Sequence, residues 1–467
     1  MIDLKALRDD PDRFRAGAKA KNYDVDVDAL LAADRDLRAA QTQLQELTAE
    51  KNRIGKAIGQ LAGRLKKAPD DQKASLKQEM AELQARPNQI KAQEAELTHS
   101  VRTLTAQRDE LWLAVPQPPD DDVPRGASDA DNVELSRWTG GGDGLTGTTF
   151  DPDEPFESQR GFAPKTHLEL CADLGLVDFD RAVKIAGSRS YTLIGDGMRL
   201  HQAVLRLAFD TMAEEHGFTP VSAADLVRHE TMVGTGFFPQ GRDQVYDIAN
   251  PTGDYGLALS GTGEVSLMAF RADELIDEAE LPLRYVTMST CFRREAGAAG
   301  RDTAGLYRVH QFDKVEQVVI CKADEAESRA WHEKMLGYVE GLLKKLELPH
   351  RRLQCCTGDL GLKNADMIDV ECWMPGRGEL DAQGRPAGGW GETHSASRLY
   401  DYQCRRLNLR YRDAVAGQNL VAHSLNNTVA ACPRLLIPIL EMHQQSDGSV
   451  RVPEALRPYL GGRDRIG

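Results

Sequence analysis

Apolar residues return every seven positions along the first quarter of the chain. Leu30, Leu37, Leu44, Ile58 and Leu65 make one stripe, with Leu47, Ile54 and Leu61 as its companion. Leu76, Leu83, Ile90, Leu97, Leu104 and Leu111 make a second, with Met80 and Val101 beside it. Seven-residue spacing keeps a seam on one side of a helix, so two long helices that zip together are expected. Pro69, Asp70 and Asp71 separate the series and predict a short turn, hence an antiparallel α-helical coiled coil. Each arm of about 37 residues would be roughly 55 Å long at the α-helical rise. Pro87 falls on the core stripe of the second helix and predicts a kink.

Beyond the heptads the pattern changes. Residues 115–132 (VPQPPDDDVPRGASDADN) are rich in Pro and Asp and read as an extended linker. After it, helical segments such as LHQAVLRLAFDTMAEEHG (200–217) mix with strands such as RYVTMST (284–290), VEQVVI (315–320) and MIDVECWM (367–374), in no regular βαβ order. That predicts an α+β domain built on an antiparallel sheet flanked by helices. The expected division is an arm over 1–115, a linker over 116–132 and a globular domain over 133–467. TGGGDGLTGT (139–148) lacks the phosphate-loop pattern and is assigned no chemistry, and 376–391 reads as a surface excursion before a strand at Glu392.

Charge and cysteines narrow the classes. A net charge of −14 opposes general coating of nucleic acid but leaves room for a local site. Arg53, Lys56, Arg64, Lys66 and Lys67 gather towards the tip of the arm and suit phosphate contacts, although a charge run is more often only a solvated face. The eight cysteines show no zinc spacing, so reduced, buried thiols and no zinc are expected. The charged N-terminus, MIDLKALRDDPDRF, is no signal peptide, and no segment has the apolar length to span a membrane; a cytoplasmic protein without a membrane partner is expected.

Chemistry concentrates in CFRREAGAAGRDTAGLYRVHQFDKVE (291–316). Strand-like segments 287–295 and 307–320 flank a small-residue loop and predict an antiparallel hairpin. Arg293 and Glu295, two apart, would share a face, and so would Arg308, Phe312 and Glu316 at spacings of four. Such a face offers phosphate clamps, an aromatic platform and a buried acid, the parts of a nucleotide and amino-acid site.

This hairpin resembles motif 2 of class II aminoacyl-tRNA synthetases, and its wording is close to that of the seryl-tRNA synthetases. The likeness extends to 173–193 (DLGLVDFDRAVKIAGSRSYTL), 234–241 (GTGFFPQG), 356–361 (CTGDLG) and the closing 451–467, while HGFTPV (216–221) resembles motif 1, which in this class lies at the dimer interface. The resemblance implies a homodimer that joins L-serine to ATP as seryl-adenylate and transfers serine to the 3′ end of tRNA(Ser). Family members also load tRNA(Sec) where the host has it. It implies that Arg293 contacts the α-phosphate and the serine carboxylate, with Glu295 on the adenine amine, Phe312 stacked on adenine, Arg308 on the distal phosphates, and Arg294 and Val309 beside ATP. Thr262, Gly263 and Glu264 would receive the serine amino group and Glu316 its hydroxyl, with Asn426 and Thr428 lining the same pocket. Glu392 and Ser395 would hold Mg²⁺ and ATP, flanked by Thr393 and His394, and Arg434 of motif 3 would meet the γ-phosphate.

Departures fall in two segments. The family's S-S-C-S-N is here His394-Ser395-Ala396-Ser397-Arg398, and its N-G-S is Asn426-Asn427-Thr428; Pro433 replaces a glycine before Arg434. Every charged position of the resemblance remains filled. Two other classes compete: a synthetase-like protein that binds tRNA without charging it, which predicts missing phosphate clamps, and an enzyme that loads an amino acid on a carrier protein, whose relatives lack the long arm.

Overall fold

The computed structural model describes the chain except for 141–148, 252, 254, 298–303, 381–383 and the side chains of 85–89. Two compact units emerge: 4–15 with 24–115, and 1–3 with 16–23 and 116–467.

The first unit is built on two helices, Val27–Lys67 and Asp70–Ala114, packed along their lengths. At 41 and 45 residues they run to roughly 60–70 Å, longer than the heptads alone suggested. Leu30, Leu37, Ile54, Leu61, Leu76 and Ile90 are buried in the seam, and Lys51 pairs with Glu94 across it. The turn shrinks to Ala68 and Pro69, because Asp70 and Asp71 enter the first turn of the second helix, where the dipole favours acids. The second helix is continuous through position 87, and the kink expected of Pro87 lies outside the described side chains.

The larger unit is centred on an eight-stranded sheet. In chain order the strands are β1 (Val133–Trp138), β2 (Thr219–Pro220), β3 (Leu283–Phe292), β4 (Gln311–Cys321), β5 (His350–Gln354), β6 (Asp366–Met374), β7 (Gly389–Tyr400) and β8 (His423–Cys432). In space they run β1-β5-β6-β7-β8-β4-β3-β2, antiparallel except where β2 pairs with β3. One face packs on the helices Asp196–Asp210 and Glu325–Lys345. Leu200, Ala203, Val204 and Leu207 from the first, and Met335, Leu336, Val339 and Leu342 from the second, meet Val315, Ala396, Leu425 and Val429 from the strands. The other face carries a cavity.

The linker is no free spacer. The amides of Gln117 and Asp120 donate to Leu362 O and Ala365 O, and that of Thr357 to Pro124 O, each at 2.9 Å. Buried Arg398 donates through Nε to Asp120 Oδ2 at 3.0 Å and also pairs with Asp366. Two short stretches of the first residues pack with the larger unit. The Met1 ammonium donates to Tyr402 O, and buried Lys21 donates to Gln117 O, Leu362 O and Asn364 O, which holds 1–3 and 16–23 in the larger unit.

Candidate active site

The middle of the sheet sets the site. β3 and β4 pair with Thr287 opposite Glu316 and Cys291 opposite Phe312, and β8 places Thr428 on the other side of Glu316. Alternation along β4 sends Phe312, Lys314 and Glu316 to one face. They line a cavity of about 380 Å³ with Arg293, Glu295, Arg308 and Val309 from the hairpin, Glu392, Thr393 and Ser395 from β7, Asn426 and Thr428 from β8, and Arg434.

The hairpin is shorter in strand than its sequence suggested. β3 ends at Phe292 and β4 begins at Gln311, so Arg293, Glu295 and Arg308 stand on the connection and not on strands. Glu295 has φ of 53°, a left-handed conformation that stops extended pairing. Arg293 and Glu295 therefore reach the cavity through a turn and not by strand alternation. The stem is closed by Arg293 N donating to His310 O at 2.9 Å, and it is braced by Gln244 Nε2 on Ala296 O and Arg189 Nη1 on Arg308 O.

Four carboxylates in the cavity each carry a cation. Lys314 Nζ lies 2.8 Å from Glu316 Oε2, Arg308 Nη1 2.8 Å from Glu295, and Arg434 Nη1 3.5 Å from Glu392, while Lys363 Nζ contacts Glu264. Arg293, by contrast, makes no ion pair among the described residues; its guanidinium lies 5.2 Å from the Phe312 ring and its Nε donates to Gly261 O. Burial pushes the Glu316 carboxyl up, but Lys314 and the hydrogen bonds from Thr262 and Asn426 outweigh it, leaving the pKa below the ordinary value. Glu316 is thus an anion at neutral pH, and Thr262 Oγ1 is engaged by both Lys314 and Glu316. Gly263 is needed for contact: a Cβ there would stand 2.5 Å from Thr287 Cγ2 and 2.9 Å from Ser289 Oγ.

Glu392 and Ser395 face the cavity together, with Asp369 behind Ser395 on β6. Burial and then the charge of Glu392 drive the Asp369 carboxyl well above its usual range, and its Oδ1 has no hydrogen-bond partner among the described residues. The Glu392 carboxylate and the Ser395 hydroxyl are oxygen donors of the kind that suit a hard cation such as Mg²⁺. Cys355, Asp359 and Asp369 also lie close together, although all eight cysteines are buried thiols.

His394 departs from its expected place. A bulge at Thr393 resets the alternation, and the His394 ring turns to the opposite face, donating to or accepting from Thr393 Oγ1 at 2.8 Å and meeting Val429 O at 3.0 Å. Thr393 is buried as well, with its hydroxyl on Val370 O. Arg294 is exposed and does not line the cavity. Two lysines were missed. Lys314 stands two from Phe312 and two from Glu316, so strand periodicity alone marks it. Lys363, two residues past CTGDLG, carries no local signal. Arg53, Lys56, Arg64, Lys66 and Lys67 are exposed on the arm, where Arg64, Lys66 and Lys67 also complement a helix C-terminus.

An antiparallel sheet with arginines at its hairpin and a paired-acid cavity defines the chain as a class II aminoacyl-tRNA synthetase. Residues 246–443 match the tRNA synthetase class II core domain (G, H, P, S and T), and residues 1–117 match the seryl-tRNA synthetase N-terminal domain. The chain is 43% identical over 467 residues to the serine–tRNA ligase of Deinococcus radiodurans, covering 100% of this chain and 99% of that one, and 41% identical to that of Cutibacterium acnes with the same coverage. Among solved structures it is similar to the seryl-tRNA synthetase of Pyrococcus horikoshii complexed with ATP, with TM-score 0.82, 34% identity and coverage of 100% and 99%. The chain belongs to the seryl-tRNA synthetase family.

Proposed function

We propose that this protein is a serine–tRNA ligase that activates L-serine with ATP to seryl-adenylate and pyrophosphate, then transfers serine to the 3′ end of tRNA(Ser), with tRNA(Sec) as a further acceptor where it exists. The supporting observation is a single cavity in which Glu264, Glu295, Glu316 and Glu392 each hold a cation while Arg293 makes no ion pair among the described residues. A guanidinium without an ion pair can bridge the α-phosphate and the serine carboxylate with its planar donors. The serine carboxylate attacks the α-phosphorus, and no protein nucleophile is required, so catalysis is orientation plus charge stabilisation. Phe312 takes adenine when ATP enters, Glu295 its amine, and Arg308 and Arg434 the outer phosphates. Bound at Glu392 and Ser395, Mg²⁺ would neutralise phosphate charge.

Glu316 accepts the serine hydroxyl, and Glu264 the ammonium. Alanine would leave Glu316 desolvated without its donor, a defect that can reject an analogue by about 10⁴–10⁵. The protein acts in this reading as a cytoplasmic homodimer whose arm contacts tRNA through Arg53, Lys56, Arg64, Lys66 and Lys67; no described helix is long and apolar enough to cross a membrane.

ATP–pyrophosphate exchange with serine, threonine, alanine or no amino acid tests the reading. Exchange with serine alone is expected; its absence from folded protein would favour a tRNA-binding protein that does not charge. Arg293→Ala should lower exchange by about 10²–10³, the size of a lost transition-state donor, and normal exchange would remove Arg293 from the site.

A further inference from the structure

Lys363 is the feature of the cavity that the proposed chemistry leaves unused. It comes from the loop after 356–361, and its ammonium contacts Glu264 Oε1, the carboxylate assigned to the substrate's own ammonium. Glu264 is 3% exposed, and Gln403 Nε2 donates to the same oxygen at 2.6 Å. A carboxylate so deeply buried requires a positive partner, and Lys363 is that partner. Two ammonium groups on one buried carboxylate repel each other, so serine and Lys363 compete for it. The same ammonium already lies over the Phe237 ring, 4.1 Å from its centroid, so a cation–π partner remains for it when Glu264 is taken.

The loop that carries Lys363 is held from behind. Lys21 binds the carbonyls of Leu362 and Asn364, and Asn364 Nδ2 donates to Ser397 Oγ at 2.8 Å. The backbone is fixed on both sides of Lys363, which leaves movement to its own four-carbon stem.

Resting on the serine-activation reading above, we propose that Lys363 is a resident stand-in for the substrate ammonium: it neutralises Glu264 before serine binds and yields that carboxylate to serine while keeping the Phe237 ring, so that it sets serine affinity without touching ATP. Burial lowers its pKa while Glu264 and Glu316 hold it up, in keeping with a cation that depends on its acids.

The test is serine-dependent ATP–pyrophosphate exchange by the full-length protein carrying K363M, K363R, F237L or K363M with F237L. Removal of the competitor in K363M should lower the KM for serine about tenfold, the scale of a buried charge contact partly offset by desolvation, with the KM for ATP unchanged. A gain in affinity is the opposite of what structural damage produces. K363R should stay near wild type. F237L, which takes away the partner left to Lys363 once serine holds Glu264, should raise the serine KM about two- to fivefold, and this effect should vanish in the double variant, where no cation needs the ring. A serine KM that is unchanged or higher in K363M overturns the proposal. If K363M does not fold, F237L decides: an unchanged serine KM in that variant overturns it too. Lack of exchange by the wild type would instead defeat the serine-activation reading, so the two failures are separable.

Discussion

At the scale of single residues, His394 shows how burial without a charge partner becomes a pH response. Its ring is 1% exposed and burial lowers its pKa to about 3; His443, also buried, is lowered to about 4. Unfolded histidine titrates near pH 6.5. Between that value and the folded values the unfolded chain binds protons that the native chain refuses, so stability falls as pH falls and is intact above about pH 7. Each such histidine should cost about 1.4 kcal/mol per pH unit across the window. Urea unfolding measured at pH 7, 6 and 5 should show this slope, and His394→Gln should flatten it; an unchanged slope would mean that His394 titrates normally. The same ring explains a departure from the family wording, since it fills the core side of β7 and leaves the cavity wall to Glu392 and Ser395.

At the scale of elements, the linker and β7 are joined by a charge cluster around Arg398, one of the departures from the family's wording. Arg398, 3% exposed, bridges Asp120 of the linker and Asp366 at the start of β6, and Tyr400 OH donates to Asp120 at 3.0 Å. Arg398→Ala would remove the buried cation that Asp120 and Asp366 share and leave them Arg329 at 3.4 Å and Gln354 Nε2 at 2.6 Å, a loss of about 3 kcal/mol, the lower end for a broken buried pair. Urea unfolding should register it, while the folded fraction retains exchange, because Arg398 lies on the face away from the cavity. A loss below about 1 kcal/mol, the level of an exposed pair, would mean the cluster is hydrated and not structural. The hairpin teaches a second lesson about elements. Its pairing was legible from alternation, but its ends were not, because the left-handed Glu295 and the bracing by Gln244 and Arg189 come from outside the strands.

At the scale of the molecule, the proposed activity assigns adenylation to one unit and the tRNA contact to the other. The cavity lies wholly in the larger unit, and the arm is a rod of two helices with exposed basic residues. Replacing 37–111 by a short linker should therefore leave ATP–pyrophosphate exchange intact and abolish aminoacylation of tRNA. Charging that survives would leave the basic residues with no part beyond complementing a helix end. A net charge of −14 over the whole chain disfavours broad attraction of a polyanion, so a tRNA contact is expected to be local.

The sequence alone determined whatever is periodic or contiguous. Heptads specified the coiled coil because a seam must repeat to stay buried, and the 291–316 run carried Arg293, Glu295, Phe312 and Glu316 because a hairpin brings both its halves to one place. Strand period also contained Lys314, although the spacing of four adopted for Phe312 and Glu316 stepped over it. Only the tertiary structure decided the pairings. Lys363 meets Glu264 across 99 residues, Arg398 meets Asp120 across 278, and the bulge at Thr393 turns His394 out of the cavity. Such choices depend on which loops pack together and on how a buried charge finds its partner, and neither is written in local spacing.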